Sequence, residues 1–572
     1  MTKLQFRVLY REFLFRLVDR ELLSVSAQGD VSKLLGRLAA VLILVSIPFT
    51  PPMIRLGDSS LPQEAKLMSA WDTEHALVAI TMLIVGLFAV LSWDSAYPDR
   101  RDAFVLAPLP VRASTILLAK IASLAVALGL TVAIFHAIPG LLLPFALAPR
   151  GATPLDLLLS LAFYRLLIAY WVTMLAAGAF VFCGVLMVQG LAAQLPQRWF
   201  LRVSALLQLT AFCMFLIGYF AEPSPVSPQA LAAAHNQQTL LWWPSYWFLG
   251  LFQQLNGSLE GSARPTLMML ARRAWISLGG VSLMASLVFV LSYFRTIRKI
   301  VEQPDLVPGS RRFHGLPRFG PPLPTAITQF SIRSLLRSRQ HRMLLSFYLG
   351  SGFALVILFL KTPVAQQLSA ASARDPWHQV SVPLLASSFV LLCAWILGTR
   401  VVFAIPFELR ANWIFRITQV QPATAYFAGS RRAAYILALA PVWCASAVLF
   451  FSLWPCWQAL GHLTVLILLG VTITELGLGR FHKIPFACSY LPGKSNLHIT
   501  FLLCLMLGLN AIFWSAEFER RALSNRSKYW WVVVSLSTAA LFAWRRRTRT
   551  DEEEVELHFQ EELPPVITSL GL

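Results

Sequence analysis

A series of long apolar stretches constrains this chain more than any other feature. Each stretch approaches or exceeds the ~20 residues that an α-helix needs to cross a bilayer. Of the 572 residues, 57% are hydrophobic and 13% are charged, which is unlike an ordinary soluble domain. We therefore predict an all-α polytopic transmembrane helical bundle of about 12 spans, with no soluble catalytic domain. The predicted spans lie near 34–54, 74–93, 115–147, 156–191, 200–221, 273–294, 343–361, 378–404, 433–455, 458–479, 498–515 and 529–544.

The distribution of basic residues predicts the orientation. The net charge is +20, and the Lys and Arg residues form short clusters between the apolar stretches. If the N-terminus is cytoplasmic, the inner segments hold 35 of the 48 Lys and Arg residues and the outer segments hold 12. Cytoplasmic loops carry such an excess. We expect a multi-pass protein of the plasma (inner) membrane with both termini cytoplasmic, and no nucleic-acid partner.

The cysteines and the first residues give no sign of a metal site or a cleaved leader. The seven cysteines are scattered, without a CxxC or any other metal-binding spacing, so we expect them to be small packing residues. The first 23 residues mix acidic, basic and aromatic side chains without a continuous apolar core. We expect this segment to stay on the mature protein.

The chain has a predicted internal division. Residues 301–325 are basic, rich in Pro and Gly and without helical or strand periodicity, which is typical of a cytoplasmic linker. It separates a first six-helix half, 1–300, from a second, 326–550, and an acidic cytoplasmic tail occupies 551–572. Because six spans return the chain to its starting side, the two halves are predicted to be a parallel repeat.

Two short features recur in both halves. Gln5-Phe6 and Gln329-Phe330 each open an amphipathic, Arg-bearing stretch before the first span of their half. A basic insert with two prolines follows the second span, at 98–112 in the first half and at 406–423 in the second. Prolines that fix entry and exit are suited to a rigid cytoplasmic element, although ordinary interfacial loops carry the same residue types.

This pattern resembles the permease of a type-2 ATP-binding-cassette (ABC) exporter, with two six-helix halves fused in one chain. Leu109-Pro110-Val111-Arg112, followed by Lys120, is similar to the LP-x-(R/S)…K segment of such permeases. The resemblance implies that each insert is a coupling helix that docks on a nucleotide-binding subunit. The residues implied in coupling are Asp99, Arg100, Arg101, Asp102, Phe104, Pro110 and Arg112 in the first half, and Arg410, Trp413 and Arg416 in the second.

The resemblance also implies a gate helix on the outer side, between the fifth and sixth spans. The Trp-rich stretch 240–255 has amphipathic spacing, so Trp242, Trp243 and Trp247 are predicted to form an outer gate. An aromatic belt at the interface is the alternative. The second half departs from the pattern, because only a short segment joins its last two spans.

The sequence has no complete ATP-binding motif. The closest match to a Walker A loop is Gly493-Lys494-Ser495, but Cys488 stands where the first glycine must be. We therefore expect a transport protein, not an enzyme, that binds no cofactor itself. ATP would act through a separate ABC ATPase subunit, expected to be a dimer, and the other partner is the lipid bilayer.

Ionisable residues inside predicted spans are candidates for function because they are costly in lipid. His136 precedes Pro139-Gly140, where a helix break is expected, and either lines a pathway or satisfies a freed carbonyl. Arg165 either lines the pathway or lies at the interface. His462 also qualifies, whereas Arg400 and Glu475 lie near predicted cytoplasmic ends and are expected to snorkel.

Three functions remain open at this stage. The leading one is the permease subunit of an ATP-driven exporter for an amphipathic or lipid-like solute. The alternative is an ion-coupled secondary transporter of 6+6 architecture, although Asp99-Arg100-Arg101-Asp102 lacks the glycines of the loop typical of that class. An intramembrane enzyme would need paired acids or histidine clusters, and the sequence shows only isolated ones.

Overall fold

The computed structural model describes residues 3–18, 31–56, 62–97, 106, 109–147, 160–223, 230–231, 233, 236–258, 263–302, 320–361, 380–405, 423–478, 485–486 and 497–553. These residues form an all-α polytopic bundle, and none of them lies in a strand. Ten helical segments within them are long and apolar enough to cross a membrane. The helices group into two compact units, Met1–Ser310 and Arg311–Leu572.

Unit 1 begins with a 16-residue helix and continues with the six predicted spans. A short 3-10 turn links α2 to α3, so these two helices together occupy the first predicted span. The helices of unit 1 are α1 (Lys3–Val18), α2 (Val31–Ser46), α3 (Thr50–Leu56), α4 (Gln63–Leu91), α5 (Trp93–Ala96), α6 (Ala113–Phe135), α7 (Pro139–Ala146), α8 (Leu161–Ala193), α9 (Gln197–Ala221), α10 (Gln237–Trp242), α11 (Pro244–Asn256) and α12 (Arg264–Glu302).

Unit 2 follows the same order. A π-helical turn at Tyr435–Leu439 joins α16 to α17, and the candidate span there runs from Thr424 to Leu453. The helices of unit 2 are α13 (Pro322–Arg337), α14 (Arg339–Lys361), α15 (Val382–Phe403), α16 (Ala423–Ala434), α17 (Ala440–Leu453), α18 (Cys456–Leu478), α19 (Leu497–Leu523) and α20 (Arg526–Glu553).

Local sequence explains several helix ends. Proline stands in the first turn of α7, α11, α13 and α15, where its missing N–H costs no helical hydrogen bond. Ser160 accepts a hydrogen bond from the backbone N–H of Phe163 and so caps the start of α8. Gly257 ends α11 in the left-handed region, with φ of 78°. The predicted break at Pro139 is present, because α6 ends at Phe135 and α7 begins at Pro139.

The hydropathy pattern located the spans well, and the ten qualifying segments correspond to the first ten predicted spans. The helices α19 and α20 coincide with the last two predicted spans, 498–515 and 529–544. They are not among the ten, so a total of twelve spans stays a prediction. Several helices begin before the predicted bounds, and α12, for example, begins at Arg264, nine residues before the predicted span at 273. Three arginines in its first turns lowered the local hydropathy without breaking the helix.

The two units share a pattern of helix packing. In unit 1, α4 packs against α8 and α9, and α8 packs against α12. In unit 2, the corresponding helices α15, α18, α19 and α20 pack in the same way. Each unit thus packs its second predicted span against its fourth and fifth predicted spans, and its fourth against its sixth. This agreement is what a duplicated six-helix unit produces.

The amphipathic helix before each set of spans packs on the start of the third span. We call α1 and α13 the elbow helices. The Lys120 ammonium of α6 lies 4.6 Å from the centre of the Phe13 ring of α1, a cation–π contact. In unit 2, Thr328 of α13 donates a hydrogen bond of 3.0 Å to the carbonyl of Gly429 in α16. A Cβ on Gly429 would meet the Pro324 carbonyl at 2.9 Å, so glycine permits this close approach.

The units differ between their fifth and sixth spans. In unit 1, α10 and α11 lie there, and α11 packs against α4, α8 and α12. In unit 2, α19 ends at Leu523 and α20 begins at Arg526, so no helix separates them. The departure of the second half from the exporter pattern is therefore present in the structure.

Candidate functional site

The predicted coupling residues lie mostly outside the described residues. This applies to Asp99, Arg100, Arg101, Asp102, Phe104, Arg410, Trp413 and Arg416. Pro110 and Arg112 are described, and both are exposed just before α6 begins. They lie close in sequence to the part of α6 against which α1 packs. The coupling role of the inserts stays a prediction, as does the reading of Gly493-Lys494-Ser495 as a loop, because that stretch is also outside the described residues.

The predicted gate residues flank a buried helix. Trp242 is 83% exposed, whereas Trp243 and Trp247 are half-buried. Most of α11 is buried, including Tyr246 and every residue from Phe248 to Gln253. Gly250 allows the backbone of α11 to approach α12, since a Cβ there would meet the Leu267 carbonyl oxygen at 2.7 Å. The structure thus places the tryptophans around a helix inserted into unit 1, and their role as a gate stays a prediction.

Polar contacts fix the start of α11 to the bundle. His75 Nε2 of α4 lies 3.1 Å from Glu222 Oε1 and 3.3 Å from Ser245 Oγ. Ser245 also donates to Glu222, the residue that ends α9. The side chains of His75 and Glu222 are 7% and 9% exposed. One buried histidine–carboxylate pair therefore joins α4, α9 and α11 at the end of unit 1 that is predicted to face outward.

A second set of contacts fixes the rest of α11. Gln253 donates a hydrogen bond to Glu74, which is 3% exposed and neighbours His75 in α4. Ser258 in turn donates to Gln253. The Tyr246 hydroxyl donates to the Pro223 carbonyl at 2.5 Å. Burial raises the pKa of Tyr246 above its usual range, and the nearby carboxylate of Glu222 adds to this effect, so the phenol keeps the proton that it donates.

Arg165 contacts the end of α11. Its side chain is exposed in the first turns of α8, and Nε donates to the Leu255 carbonyl at 2.9 Å. A guanidinium at a helix C-terminus satisfies an orphan carbonyl and complements the helix dipole. The structure places Arg165 near the start of α8, and its role in lining a pathway stays a prediction.

We call Glu74, His75, Glu222, Ser245 and Gln253 the outer cluster of unit 1.

His136 is buried at the break between α6 and α7. Its ring nitrogens lie 2.7 Å from Thr81 Oγ1 of α4 and 2.5 Å from the Tyr170 hydroxyl of α8. The side chain has no solvent exposure, and the rings of Tyr170 and Trp171 are packed edge-on against it. His136 thus bonds side chains of the two neighbouring spans. A role in lining a pathway stays a prediction.

Unit 2 contains a second buried histidine–carboxylate pair. His462 of α18 places Nδ1 2.9 Å from Glu519 Oε1 of α19 and Nε2 2.9 Å from Ser388 Oγ of α15. The side chains of His462 and Glu519 are 0% and 2% exposed. Phe450 and Trp454 of the α17 end lie against the imidazole ring. These residues join α15, α18 and α19.

The opposite end of unit 2 contains an ion cluster. Glu475 of α18 lies 3.6 Å from Arg431 of α16 and 3.7 Å from Arg547 of α20, and it accepts a hydrogen bond from Tyr435. The Glu475 side chain has no exposure. The expectation that Glu475 snorkels to the interface is therefore wrong, because two arginines from neighbouring helices bring opposite charge to it inside the bundle.

At the corresponding end of unit 1, hydrogen bonds between uncharged groups link the helices. Trp93 donates to Ser204 Oγ at 2.9 Å, and Gln208 donates to the Val90 carbonyl at 2.8 Å. Ser292 of α12 donates to the Gly190 carbonyl of α8 at 2.9 Å. Each unit is therefore held at both ends by buried polar contacts between helices.

The carboxylates of the two histidine–carboxylate pairs occupy similar positions in the two units, which the sequence alone did not indicate. Glu222 ends the fifth span of unit 1, and Glu519 lies in the last turns of α19, the fifth predicted span of unit 2. Each carboxylate pairs with a histidine of a neighbouring span, the second in unit 1 and the fourth in unit 2. The sequence analysis found only isolated ionisable groups because the pairs are separated by 147 and 57 positions.

Comparison with protein-family models, with curated protein sequences and with solved structures finds no match to this chain.

Proposed function

We propose that this chain is the permease subunit of an ATP-driven exporter of the ABC type, energised by a separate ATPase subunit. The observation that carries the proposal is the repeated architecture. Each unit packs an amphipathic elbow helix on the start of its third span, and packs its second span on its fourth and fifth. Two copies of one six-helix unit in a single chain are the arrangement that the resemblance to a fused exporter permease implies.

The position of the elbow helices supports the coupling role of the inserts. Each insert is followed directly by the third span, and the elbow helix packs on the first turns of that span. A force applied to the insert would reach the start of the third span first. In unit 1, Lys120 of that span lies over Phe13 of the elbow, so the two elements would move together.

The proposed substrate is amphipathic or lipid-like. Under this proposal, the inserted helix α11, which the outer cluster fixes to the bundle, serves as the outer gate helix. Its predicted outer position beside Trp242, which is 83% exposed, is suited to contact with a solute that leaves at the membrane surface.

Buried histidine–carboxylate pairs favour one alternative, an ion-coupled secondary transporter. His75–Glu222 and His462–Glu519 are ionisable pairs inside a membrane bundle, and such groups form proton relays in pumps and transporters. Under this alternative the pairs exchange protons during transport, and no ATPase partner is needed.

Isolation of the protein from its native membrane in mild detergent separates these two functions. We expect mass spectrometry to find a soluble ATPase subunit in stoichiometric amount, and the complex to hydrolyse ATP. In a second preparation, the protein is cross-linked in the membrane before extraction. Isolation of the chain alone and without ATPase activity from that preparation would contradict the exporter proposal and favour the ion-coupled transporter.

A further inference from the structure

The elbow helix of unit 1 has an exposed face of basic and aliphatic residues. Lys3, Arg7 and Arg11 recur every four residues and are all exposed, so they form one stripe along α1. Leu4 and Val8 lie beside this stripe and are 71% and 60% exposed. Within the described part of the chain, none of the three cations makes an ion pair. The opposite face, with Phe13 and Leu17, is buried.

The elbow helix of unit 2 has the same chemistry. Arg333 and Arg337 are exposed one turn apart on α13, and Leu336 beside them is 49% exposed. A groove of about 500 Å³ runs along this face and is lined by Ala326, Gln329, Phe330, Arg333, Ser334 and Arg337. The buried face of α13, which includes Thr328, packs on α16.

The packing of the elbow helices predicts that both faces lie at the boundary of the membrane. Each elbow helix packs on the first turns of a span, α6 or α16, so its axis is held near the level at which the chain enters the bilayer. At that level, exposed aliphatic side chains reach the acyl region, and arginine and lysine stems extend their charged ends to the headgroups. The positive-inside asymmetry predicts this side to be cytoplasmic, the side on which anionic lipids attract basic segments.

We propose that the exposed faces of α1 and α13 bind anionic phospholipids, with Arg7, Arg11, Arg333 and Arg337 holding the headgroup phosphates. Arginine forms two parallel hydrogen bonds to phosphate oxygens, and Leu4, Val8 and Leu336 contact the acyl chains. The inference needs only the membrane location of the bundle and does not depend on an ATPase partner.

The test measures which phospholipid the full chain retains. Purified protein is equilibrated in mixed micelles with equal amounts of phosphatidylglycerol and phosphatidylcholine, and bound lipids are counted by native mass spectrometry. We expect the wild type to retain phosphatidylglycerol preferentially. The variant Arg7→Gln/Arg11→Gln/Arg333→Gln/Arg337→Gln should reduce that preference at least about tenfold, because each cation near an anionic headgroup adds to binding.

Two variants make the result specific. Arg264→Gln/Arg272→Gln removes two exposed arginines of α12 near its start, and we expect it to leave the lipid preference unchanged. Replacing the four elbow arginines by lysine keeps the charge and should preserve most of the preference, which decides the question if the glutamine variant fails to fold. Any of three results would overturn the proposal: an unchanged preference in the folded glutamine variant, an equal loss in the α12 control, or a loss in the lysine variant as large as the one expected for the glutamine variant. Loss of a co-isolated soluble protein, with bound lipid unchanged, would show instead that these faces dock a protein.

Discussion

His462 Nδ1 and Glu519 Oε1 lie 2.9 Å apart inside unit 2, and these two buried side chains join α18 to α19. Glu519 Oε2 is buried and accepts no hydrogen bond among the described residues. Among the described residues, His462 is the hydrogen-bond partner of this carboxyl group. Unit 1 ends its fifth span on a comparable carboxylate, Glu222, beside His75.

Removal of His462 should destabilise the protein more than removal of both partners. We expect His462→Leu to lower the stability by about 3–5 kcal/mol, because it leaves the Glu519 carboxylate buried without its partner. The double variant His462→Leu/Glu519→Met removes the stranded carboxylate as well and should recover much of that loss. Thermal unfolding in detergent, followed by size-exclusion chromatography, measures both. Equal losses in the single and double variants would show that Glu519 carries no penalty when it is left without His462, and would contradict this account.

Two glutamates with the same number of arginine partners should respond differently to the same substitution. Glu475→Gln removes a fully buried charge that lies near Arg431 and Arg547, and a loss of about 3–5 kcal/mol is expected from breaking a buried pair.

Glu517 is the matched control. Its partners Arg520 and Arg521 are 41% and 68% exposed, and the hydrogen bond from Arg520 lowers the pKa of its carboxyl. Glu517→Gln should cost at most about 1 kcal/mol, because exposed ion pairs are screened by solvent. Equal unfolding midpoints for Glu475→Gln and Glu517→Gln would contradict this interpretation.

Close backbone packing of α11 predicts a position-specific effect of one methyl group. Gly250→Ala places a Cβ about 2.7 Å from the Leu267 carbonyl oxygen and 2.9 Å from the Ala271 nitrogen, both backbone atoms that cannot rotate away. We expect a loss of about 1–3 kcal/mol, the usual cost of overpacking. Gly280→Ala in α12 meets no atom within 4 Å and should be neutral or slightly stabilising. Similar midpoints for the two variants would place α11 farther from α12 than the structure does.

Charge reversal in the first insert tests the coupling segment. Arg100→Glu/Arg101→Glu/Arg112→Glu should weaken binding of the ATPase subunit and lower transport-linked ATP hydrolysis, while membrane insertion stays normal. Reversal of Arg264 and Arg272, which lie on the predicted outer side, serves as the control with no expected effect on binding. Pull-down of the ATPase subunit and quantification of the protein in membranes give the two readouts. Undiminished binding by the triple variant would remove the coupling role from residues 98–112.

The sequence predicted the helices better than the contacts between them. Long apolar stretches are local signals, so the first ten predicted spans correspond to helices that qualify as membrane-spanning. The extension of α12 to Arg264 was missed because arginines at a helix end lower hydropathy without ending the helix. The two halves share little sequence similarity but the same pattern of helix packing, since the packing of buried faces is retained by sequences that differ widely.

The candidate clusters were harder to predict. Glu74 and His75 stand at the edge of the second predicted span, and Glu222 directly follows the fifth, so hydropathy alone treats them as boundary residues. Their burial depends on α11, which folds against α4 and covers them. Glu475 was expected to snorkel because its partners Arg431 and Arg547 are 44 and 72 positions away. An ionisable residue next to an apolar stretch was the available signal, but only tertiary structure supplies its partner.

The proposed function requires that both units cross the membrane in the same orientation. Single cysteines introduced at Glu12→Cys in α1 and Arg337→Cys in α13, in a background without the native cysteines, can be labelled in intact cells with a membrane-impermeant maleimide. Arg264→Cys in α12 provides a site on the predicted outer side. We predict that the two elbow cysteines react only after the membrane is permeabilised, whereas the α12 cysteine reacts in intact cells. Labelling of one elbow from outside and the other from inside would contradict the parallel repeat and the exporter function built on it.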